Sequence, residues 1–300
     1  MKVVITGAGG QLGWELVRAA PPVVCIYPLT RDKLDVTNCV QVEQQLRDLR
    51  PEVVINAAAY TAVDAAESHP DQAYAVNALG AENVAVVAAS MGVHLIHIST
   101  DFVFSGSKAR PYLPTDPAKP LSVYGASKLE GERRILNIPS NNALIVRTSW
   151  MYSIAGRNFV KTILRLLEER EFIEVVDDQI GTPTWARGLA EALWEMASLN
   201  GLRGIYHWSD AGVASWYDLA VAVAEYSYEL GLLKRPASIS PVTTSDYPLP
   251  AKRPPMSVLD KATSWRTLKR TPLHWRKALR MMLSELSPET GNRGNKCADC

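Results

Sequence analysis

Tyr124 and Lys128 stand four residues apart in the stretch Tyr124-Gly125-Ala126-Ser127-Lys128. On a helix that offset puts a phenol and an ammonium on one face, within reach of a single substrate. A phenol titrates near pH ~10 in model peptides, and a neighbouring cation favours its ionised form. The pair therefore reads as a proton donor beside its activator. The same spacing also arises where a ring merely packs on a lysine stem, so the surroundings must decide.

Two other stretches carry chemistry. Ser99-Thr100-Asp101 closes an apolar run, where a hydroxyl either polarises a carbonyl or serves a turn. Gly7-x-x-Gly10-x-x-Gly13, with Gly9 extra, departs from Gly-x-Gly-x-x-Gly because Leu12 occupies one glycine position. Glycines at this spacing permit a tight turn and a close approach of backbone to a pyrophosphate at the following helix N-terminus. Leu29-Thr30-Arg31-Asp32 offers both an acid for ribose hydroxyls and a base for a 2′-phosphate; Arg31 tips the reading towards NADPH, with NADH also open.

The elements that must position these groups follow from hydrophobic periodicity. Residues 2–6 form a short apolar strand, followed by the glycine turn and a helical pattern through Trp14, Leu16, Val17 and Ala20. The alternation continues with a strand at Val23 to Tyr27, helix 39–49, strand 53–56, helix 71–91, strand 94–98, helix 123–136 and strand 143–147. Apolar strands separated by helices of this length predict an α/β, doubly wound parallel sheet of Rossmann type. Beyond Arg147, helical patterns at 158–169, 184–198, 215–230 and 274–286 are separated by proline-bearing stretches, which predicts a smaller C-terminal substrate lobe. The expected division is a dinucleotide-binding domain over 1–150, joined by 184–200, a lobe over 151–183 and 201–287, and a polar tail over 288–300.

Composition narrows the function classes. The net charge is +1, with basic and acidic residues interspersed, which argues against nucleic acid as a partner and against a polybasic membrane patch. The best membrane-span candidate, Val84 to Ile98, is interrupted by Ser90, Gly92, His94 and His97, and the first apolar run is too short for a signal-peptide core. The expected location is the cytoplasm. Cys25 and Cys39 fit reduced thiols there, and Cys297-Ala298-Asp299-Cys300 lacks the second ligand pair of a metal site.

These motifs together resemble the extended short-chain dehydrogenase/reductases, and more closely the dTDP-4-dehydrorhamnose reductase family. The resemblance rests on Gly10-Gln11-Leu12-Gly13-Trp14-Glu15-Leu16, Asn56 to Glu67 (NAAAYTAVDAAE), Val76-Asn77, Ser99-Thr100-Asp101, Tyr124-x-x-x-Lys128, Arg147 to Trp150, Asp178 to Thr184, Gly204 to His207, Ser215 to Tyr217 and Arg253-Pro254. It implies a catalytic set of Thr100, Tyr124 and Lys128. Tyr124 gives the proton, Lys128 supports it and holds the nicotinamide ribose, and Thr100 bonds the sugar C4 carbonyl. The cofactor side comprises Gly7, Gly10, Gln11, Leu12, Gly13, Arg31, Asp35, Ala57, Ala58, Ala59, Tyr124 and Lys128. The nucleotide-sugar side comprises Thr100, Asp101, Trp150, Asn158, Gln179 and Arg253, the last near the diphosphate, which suits bidentate guanidinium contact. The activity so implied is NAD(P)H-dependent reduction of a C4 keto group. Another reductase or an epimerase of 4-keto-6-deoxy sugars, and a regulatory subunit like that of methionine adenosyltransferase, are the alternatives.

The sequence departs from the family where Phe102 and Ser105 replace a usual Tyr and Asp. Some members hold Mg2+ through glutamates at a dimer contact, which leaves a homodimer open. Glu15 matches one such position, but without placeable partners it reads as an exposed first-turn carboxylate favoured by the helix dipole, and no metal site is assigned. Trp185 and Trp216 read as lobe packing.

Overall fold

The computed structural model describes residues 1–139, 142–199, 201–235 and 238–287. The polar tail, with Cys297 and Cys300, lies outside them. The first half alternates as expected: β1 (Lys2–Thr6), α1 (Gln11–Arg18), β2 (Cys25–Leu29), α2 (Cys39–Leu49) and β3 (Val53–Asn56). Short helices α3 (Val63–Ser68) and α4 (Pro70–Tyr74) lead through a π-helical turn, Ala75–Gly80, into α5 (Ala81–Ser90) and β4 (His94–Thr100). Then come α6 (Val123–Leu136) and β5 (Ala143–Thr148).

The second half contains β6 (Met151–Tyr152), α7 (Phe159–Glu169), β7 (Phe172–Val176), β8 (Ile180–Gly181), β9 (Thr184–Trp185) and α8 (Ala186–Ser198). It continues with β10 (Gly204–His207), β11 (Ala214–Ser215), α9 (Trp216–Glu229), β12 (Ser238–Val242), α10 (Ala262–Leu268) and α11 (Trp275–Leu286). Six strands form one wholly parallel sheet in the order β2-β1-β3-β4-β5-β10. Because the chain crosses from β2 to β3 over β1, the order reverses at β1 and β3, where open α/β sheets bind ligands beyond the strand carboxyl ends.

Both sheet faces are covered, and the strands show why. Val3, Ile5, Val53, Ile55, Leu144 and Val146 turn to one face, under α1 and α8. Val4, Val54, Leu95 and Ile145 turn to the other, under α2 and α5. Alternate strand residues must point to opposite faces, so two buried faces require the unbroken apolar runs seen in the sequence. A third core, from α7, α9, α11 and β7, belongs to the smaller lobe. β10 and α10 come from the stretch 201–287 yet attach to the sheet: β10 pairs with β5, and Trp265 and Leu268 pack on the first core.

Two elements differ from the periodicity. The second strand starts at Cys25 because a turn with Val24 N–H donating to Pro21 O (3.0 Å) occupies the residues before it. The helix expected over 71–91 is broken by the π-helical turn, which carries Asn77 inward. There its side chain accepts from Tyr60 N (2.9 Å) and donates to Tyr60 O and Ser127 Oγ (both 3.0 Å).

Close contacts set the position of α6. A Cβ added at Gly131 would lie 2.1 Å from Asn77 O, and one at Gly125 would lie 2.2 Å from Phe102 O. Glycine lets the helix press against the π turn on one side and the end of β4 on the other. A methyl at Gly125 meets a backbone oxygen rather than a flexible side chain, so overpacking outweighs the roughly 1 kcal/mol that alanine gains in a helix. Gly125→Ala is expected to lower the unfolding free energy by about 1–3 kcal/mol in urea titration; an unchanged midpoint would show that α6 has room to move.

Candidate active site

A cavity of about 770 Å3 opens beyond the carboxyl ends of β1, β3 and β4, between the sheet and the smaller lobe. It lies within the size range of small-molecule sites. The residues expected to act together line it: Gly10 to Gly13, Ala57 and Ala59, Thr100, Asp101, Tyr124, Lys128, Trp150, Asn158, Gln179 and Arg253. Gly7 and Ala58 lie behind its wall. Gly7 adopts φ +66°, and a Cβ there would meet Ala58 N at 2.6 Å, so this glycine lets the turns after β1 and β3 touch. Arg31 is exposed beyond β2, outside the cavity lining, and Asp35 is likewise outside it. The Asp35 carboxylate accepts from Thr37 N (3.0 Å) and Thr37 Oγ1 (2.8 Å).

One wall is suited to a dinucleotide. The α1 N-cap is Gly10, in extended conformation, and no side chain caps the helix. Its first N–H groups therefore face the cavity without a side-chain acceptor, beside a turn in which any Cβ at Gly13 would strike Ala8 and Gly7 at 2.5 Å. An uncapped helix N-terminus with close backbone approach fits a pyrophosphate.

The opposite wall carries the acid–base groups. Thr100 ends β4, donates from Oγ1 to Asp101 Oδ1 (3.0 Å) and accepts from Phe102 N (3.2 Å). Ser122 caps α6 by accepting from Gly125 N (3.2 Å), which starts the helix one residue before Tyr124. The Thr100 side chain lies beside the Tyr124 hydroxyl and favours its ionised form. The Phe102 ring meets the Tyr124 ring edge-on at 5.7 Å, so the departure at Phe102 preserves aromatic packing while removing a hydroxyl. Ser105 instead shares a hydrogen bond with Ser107.

Electrostatics here reverses one expectation. Burial pushes the Tyr124 hydroxyl up to about 12, the nearby Asp101 carboxylate adds to this, and only the Thr100 side chain opposes it. Lys128 does not lower it. Its own ammonium is 2% exposed, and burial brings it down to about 8, against the weaker pull of Glu132. A cation that is itself costly to keep charged cannot act at full strength on its neighbour. Glu132 is also committed elsewhere, in a buried bidentate pair with Arg147 (2.8 and 2.6 Å).

The periodicity gave no hint of what surrounds Lys128. Its Nζ donates to Ile98 O (2.6 Å) and lies 3.3 Å from His97 Nε2. His97 Nδ1 meets Asn56 Nδ2 at 3.2 Å, and Asn56 Oδ1 accepts from Thr6 Oγ1 (2.7 Å) and Ala58 N (3.2 Å). The signal was present in the sequence: His97 interrupts an apolar strand that buries both faces.

On the lobe side, Trp150 and Trp216 stack face to face, centroids 3.5 Å apart and planes 2° apart. Trp216 thus lines the cavity as well as packing the lobe, whereas Trp185 is buried in the lobe core. Gln179 links the stack to the next segment, accepting from Trp216 Nε1 (3.1 Å) and donating to Thr244 Oγ1 (3.0 Å). Trp150 adopts φ +44°, a strained conformation for a bulky residue. Asn158 caps α7 through Lys161 N and donates to Gln11 Oε1 (3.0 Å), joining the lobe to α1. Arg253 makes a two-nitrogen contact with the Asp64 carboxylate (3.1 and 2.7 Å) at the cavity rim.

Glu15 is not an exposed first-turn carboxylate. Since α1 begins at Gln11, Glu15 lies in the second turn, fully buried, accepting from Ser153 Oγ (2.7 Å) with Arg18 at 3.5 Å. Burial raises its carboxyl above the ordinary value despite these partners. Among the described residues, no group of three His, Cys, Asp or Glu side chains forms a metal cluster, and no helix is long and apolar enough to cross a membrane.

Comparison with known proteins gives these features a family. Residues 1–287 match the family model described as RmlD substrate binding domain. The dTDP-4-dehydrorhamnose reductase of Burkholderia thailandensis is 42% identical over 86% of this chain and 90% of its own. The spore coat polysaccharide biosynthesis protein SpsK of Bacillus subtilis is 40% identical over 95% and 98%. The crystal structure of dTDP-4-dehydrorhamnose reductase from Bacillus anthracis in complex with NADP superposes with a TM-score of 0.89 at 39% identity, covering 95% of this chain and 99% of that one.

Asp101 yields a test of these electrostatics. Burial lifts its carboxyl from the usual range to about 6, against the nearby Ser257 hydroxyl and the Thr100 hydrogen bond. With the folded value above the unfolded one, its favourable contribution is full below pH ~4 and is lost as pH rises through 6. The stability advantage of Asp101→Asn over wild type should therefore grow by about 2 kcal/mol between pH 4 and pH 7, read from urea midpoints. A pH-independent difference would contradict a desolvated carboxylate.

Proposed function

The chain belongs to the dTDP-4-dehydrorhamnose reductase family, an NAD(P)-dependent oxidoreductase family, and on that premise we propose that it reduces the C4 keto group of dTDP-4-dehydro-L-rhamnose to give dTDP-L-rhamnose. The observation that carries this reading is the convergence of Thr100, Tyr124 and Lys128 on one wall of a cavity whose other wall is the uncapped start of α1. The dinucleotide unit comprises 1–150 and 184–200 together with the attached β10 and α10, and the remainder of 151–287 forms the substrate lobe.

NADPH, when bound, supplies the hydride. The α1 N-terminus and the glycine turn would hold its pyrophosphate, and Arg31 would meet the 2′-phosphate. Thr100 Oγ1 turns from Asp101 to the sugar carbonyl. Tyr124 gives its hydroxyl proton to the C4 oxygen as negative charge develops there; an alkoxide is basic enough to take a proton even from a phenol at about 12. Lys128 supports the tyrosinate that remains and holds the nicotinamide ribose. Trp150 lies against the deoxyhexose, with Asn158 and Gln179 on the nucleotide-sugar. Arg253 reaches the diphosphate from its Asp64 anchor, the carboxylate keeping the guanidinium fixed at the rim.

Product identification by NMR, after supplying the 4-keto sugar nucleotide and NADPH, tests the reading directly; oxidation of NADPH with formation of the C4 epimer would show hydride delivery to the other face, and no oxidation would point to another 4-keto-6-deoxy sugar. Tyr124→Phe should lower turnover by ~100-fold or more while leaving NADPH affinity nearly intact, by stopped-flow and fluorescence titration. Wild-type turnover in that variant would place the proton donor elsewhere. Arg31→Ala should weaken NADPH binding more than NADH binding; equal losses would remove the 2′-phosphate contact from the account.

A further inference from the structure

Lys128 has an unusual partner for a buried ammonium, and the hydrogen-bond directions around it can be assigned from a fixed point. The Ala58 backbone N–H can only donate, and it points at Asn56 Oδ1 (3.2 Å), which also receives Thr6 Oγ1 (2.7 Å). The carbonyl end of the Asn56 amide is thereby identified, so the end facing His97 Nδ1 at 3.2 Å is the NH2 donor. His97 Nδ1 must then be the bare nitrogen. The ring is fully buried, and burial lowers its basicity well below the ordinary value, so it is neutral and its one proton sits on Nε2. That proton points at Lys128 Nζ, 3.3 Å away.

A donor aimed at Lys128 favours the neutral form of the amine over the ammonium. An ammonium has three N–H groups and no lone pair, and here it would find Ile98 O (2.6 Å) and then an opposing N–H. A neutral amine donates to Ile98 O and accepts from His97 Nε2–H. We propose that His97, oriented by Asn56, is a positioning residue that weakens the hold of Lys128 on its proton in the cofactor-free protein. The charged and titratable groups facing Lys128 are few. From β4 come His97 and, at the strand end, Asp101; on α6 itself stand Tyr124 and Glu132, and Glu132 is neutralised by Arg147 from β5. None supplies an unshared carboxylate directly to Nζ among the described residues. An anionic dinucleotide would restore that hold, which rests on the reductase reading above; the orientation of His97 in the free protein does not.

The experiment has one arm that needs no turnover. Long-range proton–nitrogen spectra of cofactor-free protein labelled with [15N]histidine at pH 7.5 should show His97 neutral and protonated on Nε2, its signal assigned by loss in His97→Gln. Asn56→Asp places an acceptor opposite Nδ1 and should switch the ring to the Nδ1-protonated tautomer. Both variants leave an acceptor facing Lys128, so both should move the alkaline limb of kcat/KM upward by about one pH unit, raising the ratio of the rate at pH 9.5 to that at pH 7.5 several-fold over wild type. A merely structural role predicts lost stability without a shifted limb. An Nδ1-protonated or imidazolium wild-type signal overturns the proposal. So does an unmoved limb in variants whose urea midpoints match wild type. If His97→Gln fails to fold, the tautomer switch in Asn56→Asp assigns the signal and decides the question. If no turnover is found at all, the reductase reading fails while the spectra still test the His97 tautomer.

Discussion

The contact between α6 and the end of β4 governs the site. Tyr124 and Lys128 lie on α6, Thr100 and Ile98 on β4, and the distance between these elements is set where Gly125 faces Phe102 O and Gly131 faces Asn77 O. Side chains at those points would lift the helix from the strand. Tyr124 would draw away from Thr100 and the Lys128–Ile98 bond would lengthen together, because both span the same gap. The π-helical turn belongs to this constraint, since it brings Asn77 to a place where its carbonyl can abut Gly131 and its side chain can bond Ser127. A turn with one residue too many, costly in a free helix, is held by what it touches.

That tight packing has an electrostatic consequence. A lysine driven into a space that excludes water loses hydration worth more than a single backbone carbonyl returns, and its proton is held less firmly. The tyrosine beside it is subject to the same desolvation, in the opposite direction on the pH scale. Burial thus moves the two values towards an amine and a phenol, rather than an ammonium and a phenolate. The intuition that a cation activates a neighbouring phenol assumes a cation at full strength; burial weakens it.

The fold was legible because its signals are long and repetitive. Unbroken apolar strands at 2–6, 53–56 and 143–147 have only one arrangement that buries both faces, and the glycine turn after the first of them marks the ligand end. The cavity-lining residues from Gly10 to Arg253 were legible as motif, since each lies at a strand end, a helix start or a loop facing the crevice. What escaped were interactions that depend on tertiary neighbours. Glu15 looked exposed because its helix face was judged without Ser153, a residue 138 positions away. Trp216 looked like packing because its partner, Trp150, is reached only once β9 and α9 have folded over β6. His97 looked like an interruption in an apolar run; only the register placing it opposite Asn56 shows that it has partners on both ring nitrogens.

The two lobes are joined by polar bonds at the edge of the cavity, and this bears on how it admits a ligand. Gln11 and Glu15 on α1 receive Asn158 and Ser153 from the segment after β6, while Asp64 after β3 receives Arg253. The apolar cores on either side remain separate clusters, so relative motion of the lobes disturbs few apolar contacts and mainly these hydrogen bonds. Polar ties can be exchanged for equivalent bonds to a polar ligand at little net cost, whereas a continuous apolar core could not open without exposing surface. Gln11 and Arg253 thus tie the two lobes together at the edge of the cavity. The stacked tryptophans fit the same logic: two faces at 3.5 Å leave no room for a third ring or sugar between them, and Trp150 already bears a strained backbone that a new partner could relieve.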